Sequence, residues 1–313
     1  MSNLIKQSGG EALVKKSNIS VLNQQHIAVF LQDTDLSLKT KSDYKRILIN
    51  FAEFTQEYPN WMTTPGIRRY KQLLIEKGLT KNSASTYLAA IRAFFSWMAE
   101  KGIIEINPAK NVKGFKKPKN WQRDPLVKEQ AIRVFEIIKE SEGKQKERNL
   151  AICYLAYKTG IREIEMHRAN INDLRPYGSE IVLWVQGKGR DEKDQFVLIR
   201  SEVYDVLMDY FQTRSGRKQD DPLFIGDSNR SKGRLSTRSI RRVLTKYMIL
   251  ASVKTATITG HSFRHGFATT ALENNATLPQ VQAALRHVSI DTTMKYVHLR
   301  DRIENGAENY VDV

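Results

Sequence analysis

Residues 110–120 read KNVKGFKKPKN: five lysines, one glycine and Pro118, with few apolar anchors. A stretch so charged has the composition of a linker and does not run through a core. The apolar segments on either side of it therefore have to close separate cores. At 313 residues the chain has room for one large domain or two ordinary ones, and a hydrophobic fraction of 41% can fill them. The expected division is a tail over 1–20, a helical domain over 21–109, a basic linker over 110–125 and a mixed domain over 126–313 that ends in a tail.

The N-terminal half carries the period of helices. Tyr44, Ile47, Leu48, Phe51 and Phe54 fall on one face, and Tyr87, Leu88, Ile91, Phe94, Phe95 and Met98 on another. KNSASTY around Ser83 offers caps for the second of these, and further helices are expected over 22–31 and 67–77. These aromatics stand at core spacing, so they read as packing rather than as platforms for bases. Beyond the linker, helices are expected over 128–142, 147–159, 203–213, 237–250, 262–274 and 278–286. Among them, EIVLWVQ over 180–186 and QFVLI from Gln195 read as a β-hairpin joined by the charged loop GKGRDEKD. The fold class is mainly α with a small β-sheet or hairpin: an all-α N-terminal domain followed by an α+β domain. No internal repeat or low-complexity tract is evident.

Charge narrows the partners. Lys and Arg total 50 against 34 Asp and Glu, a formal net charge of +16 that favours a polyanion. Nucleic acid and anionic membrane are the obvious choices. The membrane reading is weak, because no apolar run approaches the roughly 18 residues of a spanning helix. MSNLIKQSGG has no apolar h-region, so a cytoplasmic location beside DNA is expected. Cys153, the only cysteine, excludes a disulfide framework and reads as a buried thiol. The linker is either a solvated tether or a strap across a DNA backbone, with Lys113, Lys116, Lys117 and Lys119 as its contacts.

The chemistry-bearing residues cluster late in the chain. Four of six histidines lie between 261 and 298: His261, His265, His287 and His298. The spacing of His261 and His265 invites zinc. HSFRH, however, lacks the carboxylate of HExxH and sets an arginine beside the ligands, so no metal or other cofactor is expected. His261 and Arg264, three apart, share one helix face and suit a phosphate: a planar guanidinium fork beside a group that holds or moves a proton. Arg162 follows KTG, where Gly160 ends a helix, and Glu165 can steady it; alone this pair would be an ordinary surface ion pair. Lys188, between the glycines of GKG, could protonate a leaving oxygen. Tyr296 lies nine residues after His287. With a free pKa of about 10, it needs a base or cations to act as a nucleophile. Taken alone it reads as a core or interface tyrosine.

The ordered series Arg162 with Glu165, Lys188 in a hairpin, HSFR with His261 and Arg264, LRH with His287, then Tyr296 resembles the tyrosine recombinase family, also called the phage integrase family. The resemblance covers the chain from about residue 126 onward. The N-terminal half is similar to that family's core-binding domain on pattern alone. The resemblance implies a C-shaped clamp around duplex DNA. It implies that Arg162 and Arg264 bind the scissile phosphate, with His261 as general base or phosphate ligand. His287 would hydrogen-bond the phosphate, Lys188 would protonate the 5′ leaving oxygen and Tyr296 would form a 3′-phosphotyrosyl bond. Ligation would then need neither ATP nor metal. A homo-tetramer on synapsed DNA is implied, monomeric or dimeric when free, working through a Holliday junction with a possible accessory or partner recombinase.

Departures from the family pattern stand out. Arg286 occupies the place usually held by glycine before the last histidine, where it could alter the turn or add a DNA phosphate contact. The hairpin loop is longer than the usual GKGxKxR, so Lys193 competes with Lys188, which is favoured. Tyr310 lacks the nine-residue offset from a histidine and reads as structural. The tail over 302–313 either docks on a neighbouring subunit or frays. There is little room before residue 20 for an arm-site domain, which suggests a Xer-like architecture. Its role would be dimer resolution or mobile-element integration. A type IB topoisomerase shares much of the chemistry, but the short helical N-terminal half argues for recombination. A basic DNA-binding protein without chemistry would explain the charge and leave the ordered series as coincidence.

Overall fold

The computed structural model describes residues 24–58, 60–116, 123–187, 189–226, 233–294, 296 and 311. Hydroxyl side chains start the N-terminal helices, because they accept backbone N–H groups that a first helical turn leaves unpaired. Ser37 accepts from Thr40, Thr63 from Gly66 and Thr80 from Ser83. They open α2 (Leu38–Glu57), α3 (Thr64–Glu76) and α4 (Lys81–Glu100); α1 (Gln24–Asp33) precedes them. The cap of α4 is thus Thr80, and the serines of KNSASTY fall inside the helix.

Both expected faces are buried, from Ile47 to Phe54 on α2 and from Leu88 to Met98 on α4. Phe51 is the hub of this core. Its ring centroid lies 4.8 Å from Tyr70 and 6.0 Å from Trp61 and from Phe95, each edge-to-face. Ring quadrupoles favour that arrangement. Tyr70 donates to Asn50 Oδ1 at 2.8 Å and the Trp97 indole to Asp33 at 3.1 Å, so buried polar ends keep partners.

The chain forms two compact units, Met1–Lys119 and Asn120–Val313. The first part of the basic stretch belongs to the first unit rather than hanging as a tether. Val112 is buried, and Lys71 donates to the Lys113 carbonyl at 2.8 Å while its ammonium lies 4.4 Å from the Phe115 ring centroid. Two apolar side chains suffice to dock it. Lys113 and Lys116 are exposed; Lys117 and Lys119 lie outside the described residues.

The second unit contains α5 (Lys128–Glu140), α6 (Lys146–Thr159), α7 (Glu163–Arg168), α8 (Ser201–Gln212), α9 (Thr237–Leu250), α10 (Ser262–Glu273) and α11 (Leu278–Leu285). Helix α6 is buried on nearly all sides and packs against α5, α8, α9 and α10. Burial pushes the Cys153 thiol on it well up, which keeps it protonated. A three-stranded antiparallel sheet, β1 (Leu174–Tyr177), β2 (Glu180–Val185) and β3 (Gln195–Ile199), follows α7. The β2–β3 hairpin is the expected one. Strand β1 is an addition, pairing Leu174 with Leu183 and Tyr177 with Glu180. It is short and holds Pro176, which an edge strand tolerates. Among the described residues, no helix is long and apolar enough to cross a membrane.

Phe51→Ala should destabilise the first unit by about 3–5 kcal/mol. Urea unfolding followed by tryptophan fluorescence measures it, since Trp61 and Trp97 report on that core. A loss below about 1 kcal/mol would deny Phe51 its central place.

Candidate active site

Gly160 closes α6 with φ at 60°, in the left-handed region. A Cβ there would lie 2.7 Å from Phe267 and 2.8 Å from Leu285, so glycine is required by both conformation and space. The turn leaves the Gly160 carbonyl free to accept from Arg264 Nη1. Arg264 Nη2 donates to the carbonyl of Leu285, the last residue of α11. The buried cation thus sits at two helix C-termini, where backbone dipoles place negative charge. Burial, then Arg162 and Arg286, lower its pKa to about 9, which leaves it protonated at neutral pH.

Arg162 caps α7. Its N–H donates to Glu165 Oε2 at 2.8 Å and its Nη1 to Oε1 at 2.7 Å. Glu165 is fully buried and takes a further bond from Arg286 Nη2 at 2.7 Å. Burial pushes the Glu165 carboxyl up; Arg286 and Arg162 outweigh it and hold the pKa below the ordinary 4.5. The Arg162 side chain remains 25% exposed, within reach of a ligand.

Arg286 follows α11 with φ 54° and ψ 46°. Its N–H bonds the Ala283 carbonyl at 2.9 Å and the His287 N–H bonds Gln282 at 3.1 Å, the Schellman ending that ordinarily takes glycine. A side chain in this conformation costs about 1–2 kcal/mol. Expected to alter the turn or to add a DNA phosphate contact, Arg286 sits in that left-handed turn and points inward, leaving 3% of its side chain exposed against the buried Glu165 carboxylate.

His287 Nδ1 lies 2.9 Å from the Oγ1 of Thr293, which is fully buried. Burial, then Arg264, Arg162, Arg286 and His265, lower the His287 pKa to about 4. The ring is neutral at pH 7. If Thr293 gives its proton to Nδ1, Nε2 carries the ring proton and can donate to a phosphate oxygen. His261 precedes α10 and is exposed. Desolvation on its protein-facing side lowers its pKa, Glu163 opposes this, and Arg123, Arg241 and Arg264 add to it. The balance favours the neutral imidazole of His261.

Tyr296 is 3% exposed, in a small cluster with Ala268, Leu272, Val281 and Leu285. Its hydroxyl lies 2.7 Å from His265 Nδ1. Burial raises its pKa to about 12 against the pull of Arg264 and Arg162, so it rests as a neutral phenol. Arg162, Arg264, His287 and Tyr296 thus share one neighbourhood with Glu165 and Arg286.

Lys188 lies outside the described residues, as do His298 and Tyr310. Of the tail over 302–313, only Val311 is described, and it is exposed. Lys193 Nζ pairs with Asp173 Oδ2 at 2.5 Å, an oxygen that also accepts the Asn170 N–H at 2.6 Å. That ammonium is engaged by a carboxylate.

Sequence reasoning missed several residues. The spacing of His265 points only to a metal and not to Tyr296. Thr293 and Glu163, which Arg241 holds, carried no signal of their own. Along α9, Arg238, Arg241, Arg242 and Lys246 form an exposed basic stripe whose helical spacing was there to be read. Among the described residues, no group of three or more His, Cys, Asp or Glu could hold a metal.

A family model described as the phage integrase family matches residues 126–302, and one for a phage integrase N-terminal SAM-like domain matches 22–105. The chain is 31% identical to the tyrosine recombinase XerC of Thermodesulfovibrio yellowstonii, covering 88% of this chain and 89% of that one. It is 28% identical to XerD of Oceanobacillus iheyensis, covering 88% and 93%. Among solved structures its fold is similar to the XerH site-specific recombinase bound to palindromic difH substrate, with TM-score 0.73, 21% identity and coverage of 87% and 80%. It is also similar to a lambda integrase dimer bound to a COC′ core site, with TM-score 0.67, 16% identity and coverage of 88% and 95%.

The His287 shift has a signed consequence. Its folded pKa of about 4 lies below the ordinary 6.5, so the unfolded chain binds a proton that the folded chain refuses. Stability should therefore fall as pH drops from 6.5 towards 4, and the depressed Glu165 carboxyl extends that fall below 4.5. A ring-proton NMR titration of His287 should give a midpoint near 4; a midpoint near 6.5 would exclude the half-buried, cation-ringed state.

Proposed function

The chain belongs to the phage integrase family, and we propose that Tyr296 is the nucleophile with which it opens DNA. It is a tyrosine-type site-specific recombinase that cleaves and rejoins DNA strands. The observation that carries the residue assignment is the Tyr296 hydroxyl, 2.7 Å from a histidine nitrogen beside Arg162, Arg264 and His287.

The phenol proton passes to His265 Nδ1 as the Tyr296 oxygen attacks phosphorus. A Tyr296 O–P bond forms and the P–O5′ bond breaks, leaving a 3′-phosphotyrosyl link. Arg162 and Arg264 carry the charge that builds on the phosphate oxygens, and neutral His287 adds a donor. His261 holds or accepts a proton at the exposed edge. Lys188 protonates the 5′ oxygen, a part that rests on its place in the motif order. A new 5′ hydroxyl then reverses these steps, so rejoining needs no ATP.

The α9 stripe and the lysines Lys113 and Lys116 serve the DNA backbone, in keeping with the net charge of +16. We take the active assembly to be a homo-tetramer on synapsed sites, in the cytoplasm, with room for a partner recombinase. The near full-length similarity to XerC and XerD supports a Xer-type role over mobile-element integration.

A nicked suicide duplex tests this, its sequence enriched from random DNA by binding to the full chain. Without metal or ATP it should yield an adduct stable in SDS, and Tyr296→Phe should yield none; an adduct from that variant assigns the nucleophile elsewhere. His265→Asn should slow adduct formation about a hundredfold, the scale of a lost proton acceptor. An unchanged rate would remove His265 from that part. Binding should weaken steeply with salt, and removing Arg238 or Arg242 should lower the slope by about one.

A further inference from the structure

Arg286 holds a conformation that suits glycine, and it buries a guanidinium whose Nε–H meets no acceptor among the described residues. Glycine at this place would relieve both conditions. What arginine gains is Glu165, through the bond from Nη2 to Oε2 at 2.7 Å. Glu165 already accepts from the Arg162 N–H and from Arg162 Nη1. One buried carboxylate therefore lies against two guanidiniums.

The charge count matters to a phosphate. Arg162 with Glu165 alone is a neutral pair, and a diester nearby feels little net attraction from it. Arg286 brings the group to one net positive charge, and Arg264 adds another. A phosphodiester gains negative charge on its oxygens as the nucleophile attacks, so an extra fixed cation favours the transition state over the ground state. The influence of Arg286 reaches both Arg264 and His287, where it disfavours the charged forms.

We propose that Arg286 is a positioning and charge-balancing residue for strand cleavage: it takes up the charge of Glu165, so that Arg162 acts on the scissile phosphate as a full cation. This rests on the reading of Tyr296 as nucleophile. Arg286 itself, with its side chain buried, does not touch the DNA in this arrangement.

Single-turnover adduct formation on the same nicked duplex, with the full chain at saturation, tests the proposal. Arg286→Gly should fold, because its backbone suits glycine. It should bind DNA within about twofold of the unaltered chain and form adduct about tenfold more slowly, less than the loss of a direct donor. Arg286→Gly combined with Glu165→Gln restores the charge count and should be faster than Arg286→Gly alone. Arg286→Lys and Arg286→Met carry the same backbone burden and differ in charge, so the lysine variant should be the faster. In Arg286→Gly the His287 ring should titrate above its value of about 4. The proposal falls if Arg286→Gly matches the unaltered chain, if the double variant is no faster than the single, or if the lysine and methionine variants coincide. Failure of the nucleophile reading looks different: the unaltered chain then forms no adduct through Tyr296.

Discussion

A buried guanidinium bonded to two helix ends holds this site together. The final carbonyls of α6 and α11 have no partner within their own helices. Arg264 supplies both, at Gly160 and at Leu285. The fork geometry fixes where those two helices stop relative to each other, and hence where Arg162 begins α7 and where the chain turns towards His287. Two of the five guanidinium donors are committed in this way.

Around that anchor the charges are lopsided. Two arginines bond one buried carboxylate, a third lies near with only carbonyls as partners, His287 is held neutral and Tyr296 stays protonated. Mutual repulsion raises the free energy of this group when no anion is present. A bound phosphodiester would relieve it, so occupancy of the site stabilises the catalytic unit by linkage. The asymmetry is thus a resting-state cost that favours the bound state.

Much of this was legible in the sequence because local rules agree with the final packing. The α9 boundaries match the expected span, since Ser236 caps one end and the apolar period runs to Leu250. The KTG signal placed Gly160, and the three-residue step placed Glu165 beside Arg162. What stayed hidden depends on direction rather than spacing. The sequence pointed to an altered turn or a phosphate contact at Arg286, but not to its bond with Glu165, 121 residues away. His265 and Tyr296 meet across 31 residues of chain, which no local pattern encodes. Strand β1 was masked by Pro176, and the docking of 112–115 by the lysines around Val112 and Phe115.

Leu285 has no functional group in its side chain, yet three parts of the site converge on it. Its carbonyl receives Arg264, its Cδ2 occupies the space beside bare Gly160, and its side chain walls the pocket of Tyr296. Drift at this position is therefore confined: a much smaller or a polar side chain would disturb the space beside Gly160 and the wall of Tyr296 together, whereas methionine conserves the volume. In a saturation library scored for recombination, this position should accept little beyond apolar residues of similar volume, while Leu38, 87% exposed, should vary freely.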